Sequence, residues 1–279
     1  MNHLISADQL IDLMARGDDL VIFDCRFNLI DHNYGKLSFL KEHLPGAYYI
    51  DPETDLSGPK GRHGGNHPIP DPVAFKVLLE SYGVSDGTTV VIYDHGDFNG
   101  PSRMLCLMHY IGFPSGYILN GGIQAYIDAG GQTESGPNPH RSGSGQITLQ
   151  HNPDFVVSMD YVKERLYAED TIIVDARSQS RYLGFEEPIY RVAGHIPSAK
   201  NYYYGDLIEN ARLKDEDFLR DHLKELASGK EVILSCGSGV SACVISLVLR
   251  QLSVPHKLYV GSYSDWLSYP DNPIAEGAE

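Results

Sequence analysis

Positive charge is scarce in this chain: 22 Lys and Arg stand against 37 Asp and Glu, a formal net charge of −15. Without a basic excess there is no electrostatic footprint for a phosphate backbone or an anionic bilayer, so nucleic-acid and membrane-surface partners are not expected. A small anion is not excluded, because a few arginines and backbone N–H groups suffice to bind one. Long apolar runs are lacking too. Those at 90–93 and 243–249 fall far below the ~18–20 residues that span a bilayer. Residues 1–11 have neither a cationic start nor a long apolar stretch, so no secretory signal is read and a soluble, cytoplasmic protein is expected. Cysteine is equally sparse. Cys25, Cys106, Cys236 and Cys243 are irregularly spaced without a CxxC pair, which argues against a disulfide framework or a zinc ribbon. His63 and His67 are separated by Gly64-Gly65, which interrupts the helix such a ligand pair would need. No metal and no cofactor is expected.

What is present is a repeat. At 279 residues the chain lies near the ~250–300 at which single cores split. Leu20-Val21-Ile22-Phe23-Asp24-Cys25-Arg26, an apolar run ending in Asp-x-Arg, returns as Thr171-Ile172-Ile173-Val174-Asp175-Ala176-Arg177. His43-Leu44-Pro45-Gly46-Ala47 returns as His195-Ile196-Pro197-Ser198-Ala199. Val90-Val91-Ile92-Tyr93-Asp94 answers Val232-Ile233-Leu234-Ser235-Cys236, so Asp94 and Cys236 hold equivalent positions. Tyr117-Ile118-Leu119-Asn120-Gly121 and Lys257-Leu258-Tyr259-Val260-Gly261 complete the series. Landmarks in the same order imply duplication.

Short runs rich in Val and Ile read as buried strands of a parallel sheet, and the segments between them have helical spacing. Helices are predicted at 6–16, with Ser6 as N-cap, and at 71–82, 101–111, 158–167, 215–227 and 241–252. The fold class is therefore α/β, with two tandem domains, each a mostly parallel sheet flanked by helices. Thr133 to Gln146, dense in Gly, Ser and Pro, is the expected linker, with the boundary near residue 140 and domains at 1–138 and 147–279. From His43 to Asp94 the first half is ten residues longer than the second from His195 to Cys236. The excess falls at 56–68, a loop expected to reach out of the first domain.

The sharpest local feature is a strand, then Cys236-Gly237-Ser238-Gly239-Val240-Ser241, then an apolar helix. Glycines allow the backbone to curl several N–H groups inward, and the helix start adds its positive end. Such a cradle holds a thiol as thiolate. The bland alternative, a core cysteine at a strand end, lacks that environment. Cys25, Cys106 and Cys243 fit the bland description, and the ion pairs of Asp24 with Arg26 and Asp175 with Arg177 read as loop-organising.

With these residues the chain resembles the tandem-domain rhodanese-type sulfurtransferases over nearly its whole length, from about Ala7 to Trp266. The resemblance implies sulfur transfer through a persulfide on Cys236, with a catalytically blank first domain that walls the site. Gly237-Ser238 after the cysteine resembles the 3-mercaptopyruvate type, whereas the thiosulfate type carries cations there. The relay that the resemblance implies comprises Ser238, Asp51 and His67, with His63 the competing histidine. Gly237, Gly239, Val240 and Ser241 would surround the transferred sulfur. The donor carboxylate would fall to Arg181 and to Arg191, the latter displaced from the family position, so that it either reaches the site or is a surface charge. The implied partners are a small-molecule sulfur donor, a thiol or cyanide acceptor and a thioredoxin-like reductant.

Other classes fit less well. A cysteine phosphatase needs Arg at the sixth position after the nucleophile, which here is Ala242. Dinucleotide binding needs GxGxxG after the first strand, where Asp24-Cys25-Arg26 stands instead. Thiosulfate:cyanide sulfur transfer stays open as an alternative, as does a non-enzymatic sulfur- or partner-binding module.

Overall fold

In the computed structural model, which describes residues 3–137 and 144–278, the apolar runs become the strands of two parallel sheets. The first half contains β1 (Leu4–Ile5), α1 (Ala7–Arg16), β2 (Leu20–Asp24), α2 (Tyr34–Lys41), β3 (Tyr48–Tyr49), α3 (Pro72–Ser81), β4 (Thr89–Tyr93), α4 (Asn99–Tyr110), β5 (Gly116–Leu119) and α5 (Gly122–Asp128). The second contains α6 (Met159–Lys163), β6 (Thr171–Asp175), α7 (Gln179–Tyr182), β7 (Lys200–Asn201), the antiparallel pair β8 (Ile208–Glu209) and β9 (Arg212–Leu213), α8 (Glu216–His222), β10 (Glu231–Ser235), α9 (Ala242–Gln251), β11 (Lys257–Leu258) and α10 (Ser262–Trp266).

Duplication is visible in the topology. The first sheet runs β1-β5-β4-β2-β3 and the second β11-β10-β6-β7. A parallel bridge from Val156 to Leu258 fills the place that β1 takes against β5. Register repeats as well, with Asp24 opposite Tyr93 and Asp175 opposite Ser235. At each strand end the carboxylate grips its Arg: Arg26 reaches Asp24 at 2.5 Å and Glu42 O at 2.6 Å, and Arg177 reaches Asp175 at 2.6 Å and Gly194 O at 2.7 Å. Those contacts pin the His-Pro turn that follows. His43 stacks on Phe39 and His195 on Tyr182, each ring hydrogen-bonded through Nδ1 to that residue's carbonyl.

Helix starts follow their caps. Ser6 and Gln9 form a reciprocal capping box on α1, and Asp71 accepts from Val73 and Ala74 N–H ahead of Pro72. Two predicted helices are shorter than their spacing suggested. The 158–167 segment stays α-helical only through Lys163, and Tyr167 adopts φ +62°, a left-handed conformation that cannot continue a helix. After His222 the chain closes i→i+3 turns, such as Leu226 N to Leu223 O at 2.9 Å, instead of α-helical ones.

Helices α4 and α9 pack on each other, one from each half, and bury almost every side chain they carry. Helices buried on all sides belong in a core, and the apolar residues of this pair join the two halves into one apolar cluster. Each helix follows the loop after its strand, so the Asp94 and Cys236 loops both lie at the N-terminal ends of this pair. The expected boundary near residue 140 lies outside the described residues. Beyond it, Gly145, Ile147 and Thr148 hydrogen-bond to Glu80 and Asp86 of the first half before Val157 joins Leu258. Among the described residues no helix is long and apolar enough to cross a membrane.

Candidate active site

Cys236 directly follows β10 with 2% of its surface exposed. Its Sγ accepts the Gly239 N–H at 3.1 Å, and the Ser262 hydroxyl lies 4.0 Å away. The curl that aims Gly239 N at the sulfur requires φ +78°, and a Cβ there would stand 2.2 Å from Val260 O. Only glycine fits. The same cradle exists in the first half, where Gly96 N donates to Asp94 at 2.6 Å. There the occupant is a carboxyl, pushed well above its ordinary range by burial and by Asp97, and not a nucleophile.

Ser238, next but one to the cysteine, meets a residue of the first half. Its Oγ lies 2.8 Å from His67 Nδ1. The long loop brings His67 there by docking on the second half: Gly64 N donates to Asp265 at 2.7 Å, Asn66 N to Ser264 at 3.0 Å, and His63 stacks on Tyr269 while contacting Ser268 at 2.7 Å. His63 is thus an anchor, and His67 faces the site. Burial, with Arg103 adding to it, pushes the His67 imidazole down to about 4, so the ring is neutral at pH 7.

Asp51, the acid assigned to the relay, is not brought to His67. Its carboxylate accepts Glu53 N at 2.9 Å, and its own N–H donates to Asp55 at 2.8 Å. An Asx-type turn consumes Asp51 and projects Glu53, whose Oε1 faces His67 Nε2 at 3.3 Å. Glu53 therefore replaces Asp51 as the carboxylate behind the histidine. Two acids lie in Asp51-Pro52-Glu53-Thr54, and only the turn chemistry separates them.

Arg103 of α4 is 1% exposed. It donates to Leu56 O, His67 O, Pro68 O and Gly239 O at 3.1–3.2 Å, which ties the histidine loop to the cysteine loop. Among the described residues all its hydrogen-bond acceptors are carbonyls. Nothing in an apolar helix marked this arginine except its being charged.

Arg181 is occupied: its Nε and Nη2 donate to the Glu187 carboxylate at 2.8–3.1 Å, and Arg177 shares that carboxylate at 3.2 Å. Arg191 is exposed, with no ion pair among the described residues. Between them Tyr190 covers the cysteine loop. Its ring lies against Arg181 at 5.5 Å, its hydroxyl faces Ser238, and a Cβ on Gly237 would come within 2.8 Å of it. Burial and the Cys236 charge push the Tyr190 hydroxyl up to about 12, which keeps it a donor. Val240 and Ser241 lead into α9, Val240 buried and Ser241 as its N-cap without a side-chain hydrogen bond. Cys243 is fully buried and donates to Gly239 O at 3.2 Å, and burial pushes the Cys25 and Cys243 thiols up, which makes both poor nucleophiles.

A glycine-curled cysteine loop after a parallel strand, paired with a duplicate that lacks the cysteine, defines a class, and comparison with known proteins agrees. The family model of the rhodanese-like domain matches residues 6–129 and again 158–269, and the chain belongs to that family. It is 36% identical to a probable 3-mercaptopyruvate sulfurtransferase of Pseudomonas aeruginosa, over 99% of this chain and 98% of that one. It is 32% identical to a putative thiosulfate sulfurtransferase, SseB, of Mycobacterium tuberculosis, over 98% and 97%. Among solved structures, the 3-mercaptopyruvate sulfurtransferase SseA of Escherichia coli superposes with TM-score 0.81 at 28% identity, over 95% of this chain and all of that one.

Proposed function

We propose that this protein is a sulfurtransferase that takes sulfur from 3-mercaptopyruvate through a persulfide on Cys236. The observation that carries the reading is the 2.8 Å contact of Ser238 with His67 beside a cysteine loop that holds no cation. Thiosulfate carries two charges and would be served by a cation next to the thiolate, whereas a thiol on a carboxylic acid needs a proton relay instead. The Cys236 thiolate bonds to the donor sulfur, and the donor C–S bond breaks with its electron pair passing to carbon. The donor thiol gives its proton to the Ser238–His67 pair, and the pair delivers a proton to that carbon, giving pyruvate. The Gly239 N–H stabilises the outer persulfide charge, and Tyr190 shields it from water. Arg181 holds the donor carboxylate once Glu187 yields it, and Arg191 comes in from the rim.

Cyanide or a thiol then attacks the outer sulfur and restores the Cys236 thiolate. A thioredoxin-like dithiol is the reductant that would release the sulfur as sulfide. In this reading residues 1–138 supply a wall and the histidine, residues 147–279 carry the nucleophile, and the protein works in the cytoplasm.

The test is mass spectrometry of donor-treated protein. Cys236 gains one sulfur, labile to cyanide, and Cys236→Ser gains none; an adduct on the serine variant overturns the reading. Thiosulfate remains the second reading because Arg181 is held by Glu187. A higher kcat/KM for thiosulfate than for mercaptopyruvate would establish it.

A further inference from the structure

Cys236, Ser238 and His67 are each less than a tenth exposed, so protons entering or leaving this site have little direct contact with bulk water. The hydrogen-bonded chain does not stop at Glu53. That carboxylate uses its two oxygens on two imidazoles: Oε1 on His67 at 3.3 Å and Oε2 on His32 Nδ1 at 2.7 Å. Side-chain exposure rises outward, from 5% at His67 through 25% at Glu53 to 63% at His32. An isolated surface His–Glu pair is worth about 0–1 kcal/mol and is loosely held. Here the carboxylate is fixed at its other oxygen by a buried ring, which keeps His32 in line with the site.

The donor and acceptor pattern is consistent along the line. A carboxylate only accepts, so His67 carries its hydrogen on Nε2 and leaves Nδ1 to accept from the Ser238 hydroxyl. His32 donates from Nδ1 to Glu53 and, when it carries a second hydrogen, turns its Nε2–H to solvent. The charged groups acting on His67 are Arg103 and Lys60, both disfavouring its protonation, and Glu53, which favours it; from the opposite side the Tyr190 hydroxyl faces Ser238.

We infer that His32 is the solvent terminus of a proton path that runs through Glu53 and His67 to Ser238. It is a positioning residue for proton transfer and does not touch the donor. The inference rests on the mercaptopyruvate reading. Outward, Ser238 takes the donor thiol proton as it gives its own to His67 Nδ1, His67 gives its Nε2 proton to Glu53 Oε1, and His32, entering the step with a hydrogen on each nitrogen, sheds the one on Nε2 to solvent and keeps its Nδ1–H on Glu53 Oε2. Inward, the same steps reverse and the enolate carbon takes the proton. One proton leaves and one returns for each pyruvate formed, so the cycle balances.

The experiment compares wild type, His32→Gln and Glu53→Gln in pyruvate release from mercaptopyruvate, at low buffer and with added imidazole as a diffusible proton carrier. Expected for His32→Gln is a kcat about three- to tenfold lower, below the full range of a direct acid–base group because water partly replaces a terminus. KM is unchanged, and imidazole restores kcat while leaving wild type unaffected. Glu53→Gln is broken inside the path and is not rescued. A His32→Gln enzyme with wild-type kcat at every buffer concentration, or with a lowered kcat indifferent to imidazole, overturns the inference alone. A wild-type enzyme that releases no pyruvate from mercaptopyruvate overturns the donor reading and this path with it.

Discussion

His67 Nδ1 and Ser238 Oγ lie 2.8 Å apart although 171 positions separate them in the chain. Neither half of the molecule contains the site by itself. The second half brings a thiol in a glycine cradle, and the first brings the only imidazole that faces it among the described residues. Arg103 holds the two loops together from beneath, and Tyr190 closes them from above.

His67→Asn is expected to lower kcat for pyruvate release by roughly a hundredfold or more, the usual loss for a direct acid–base group. The Cys236 cradle does not involve His67, so the variant should still be alkylated at Cys236 by iodoacetamide. Steady-state kinetics and peptide mapping check the two halves of this statement.

Arg103→Met removes the donor from Leu56 O and His67 O in the interior, while Pro68 O keeps the Gly58 N–H and Gly239 O keeps the Cys243 thiol. An expected loss of about 2–4 kcal/mol follows from stranding buried acceptors, read by urea denaturation. Arg103→Lys retains the charge and a single donor group, so it should recover part of the stability and less of the turnover, because the fork that spans both loops is gone.

Two glycines with similar backbone angles separate strain from steric conflict. Gly239 has φ +78° and a Cβ would strike Val260 O, whereas Gly229 has φ +88° and nothing within 4 Å. Gly229→Ala should cost only the left-handed conformation, about 1–2 kcal/mol. Gly239→Ala should cost more and abolish turnover, since the Gly239 N–H moves off the Cys236 sulfur. Thermal melts and activity of the pair decide.

Removal of the Arg181 fork by Arg181→Met should raise KM for mercaptopyruvate by about tenfold or more, the weight of a charge-assisted hydrogen bond, with a smaller change in kcat. If KM holds and the protein is merely destabilised, Arg181 serves Glu187 and not the donor.

Acid should weaken the fold in a specific window. Burial holds His67, His109 and His256 down to about 4, against 6.5 for a free histidine. Between those values the unfolded chain binds more protons than the folded one, so stability is full above pH 6.5 and declines as pH falls toward 4. Asp94, raised by burial, acts in the opposite sense. Comparing wild type with His256→Gln isolates the histidine: unfolding free energy by urea should depend less steeply on pH in the variant.

Much of this was legible beforehand. Continuous runs rich in Val and Ile, the Asp-x-Arg ends and the Ser6 and Asp71 caps are local signals, and the strands, strand-end ion pairs and helix starts follow them. Helix ends were less legible, because the residues after Lys163 close as turns and reach a left-handed Tyr167 that composition does not announce. At the site, Cys236 and its glycines are contiguous and could be read together. His67 was named only through the family resemblance, and Glu53 and Arg103 were not named, since they come from elements that meet the cysteine loop only in space.

The sequence by itself determined that the chain is a duplicated α/β unit with one nucleophile in the second copy, because repeats, apolar period and a glycine-flanked cysteine are properties of neighbouring residues. Only the tertiary structure decided that Glu53 and not Asp51 stands behind His67, that Arg103 joins the loops, and that Glu187 occupies Arg181. Those choices depend on which turn spends a carboxylate on its own backbone, which is local hydrogen-bond geometry, and on where distant loops dock, which contacts between the two halves set.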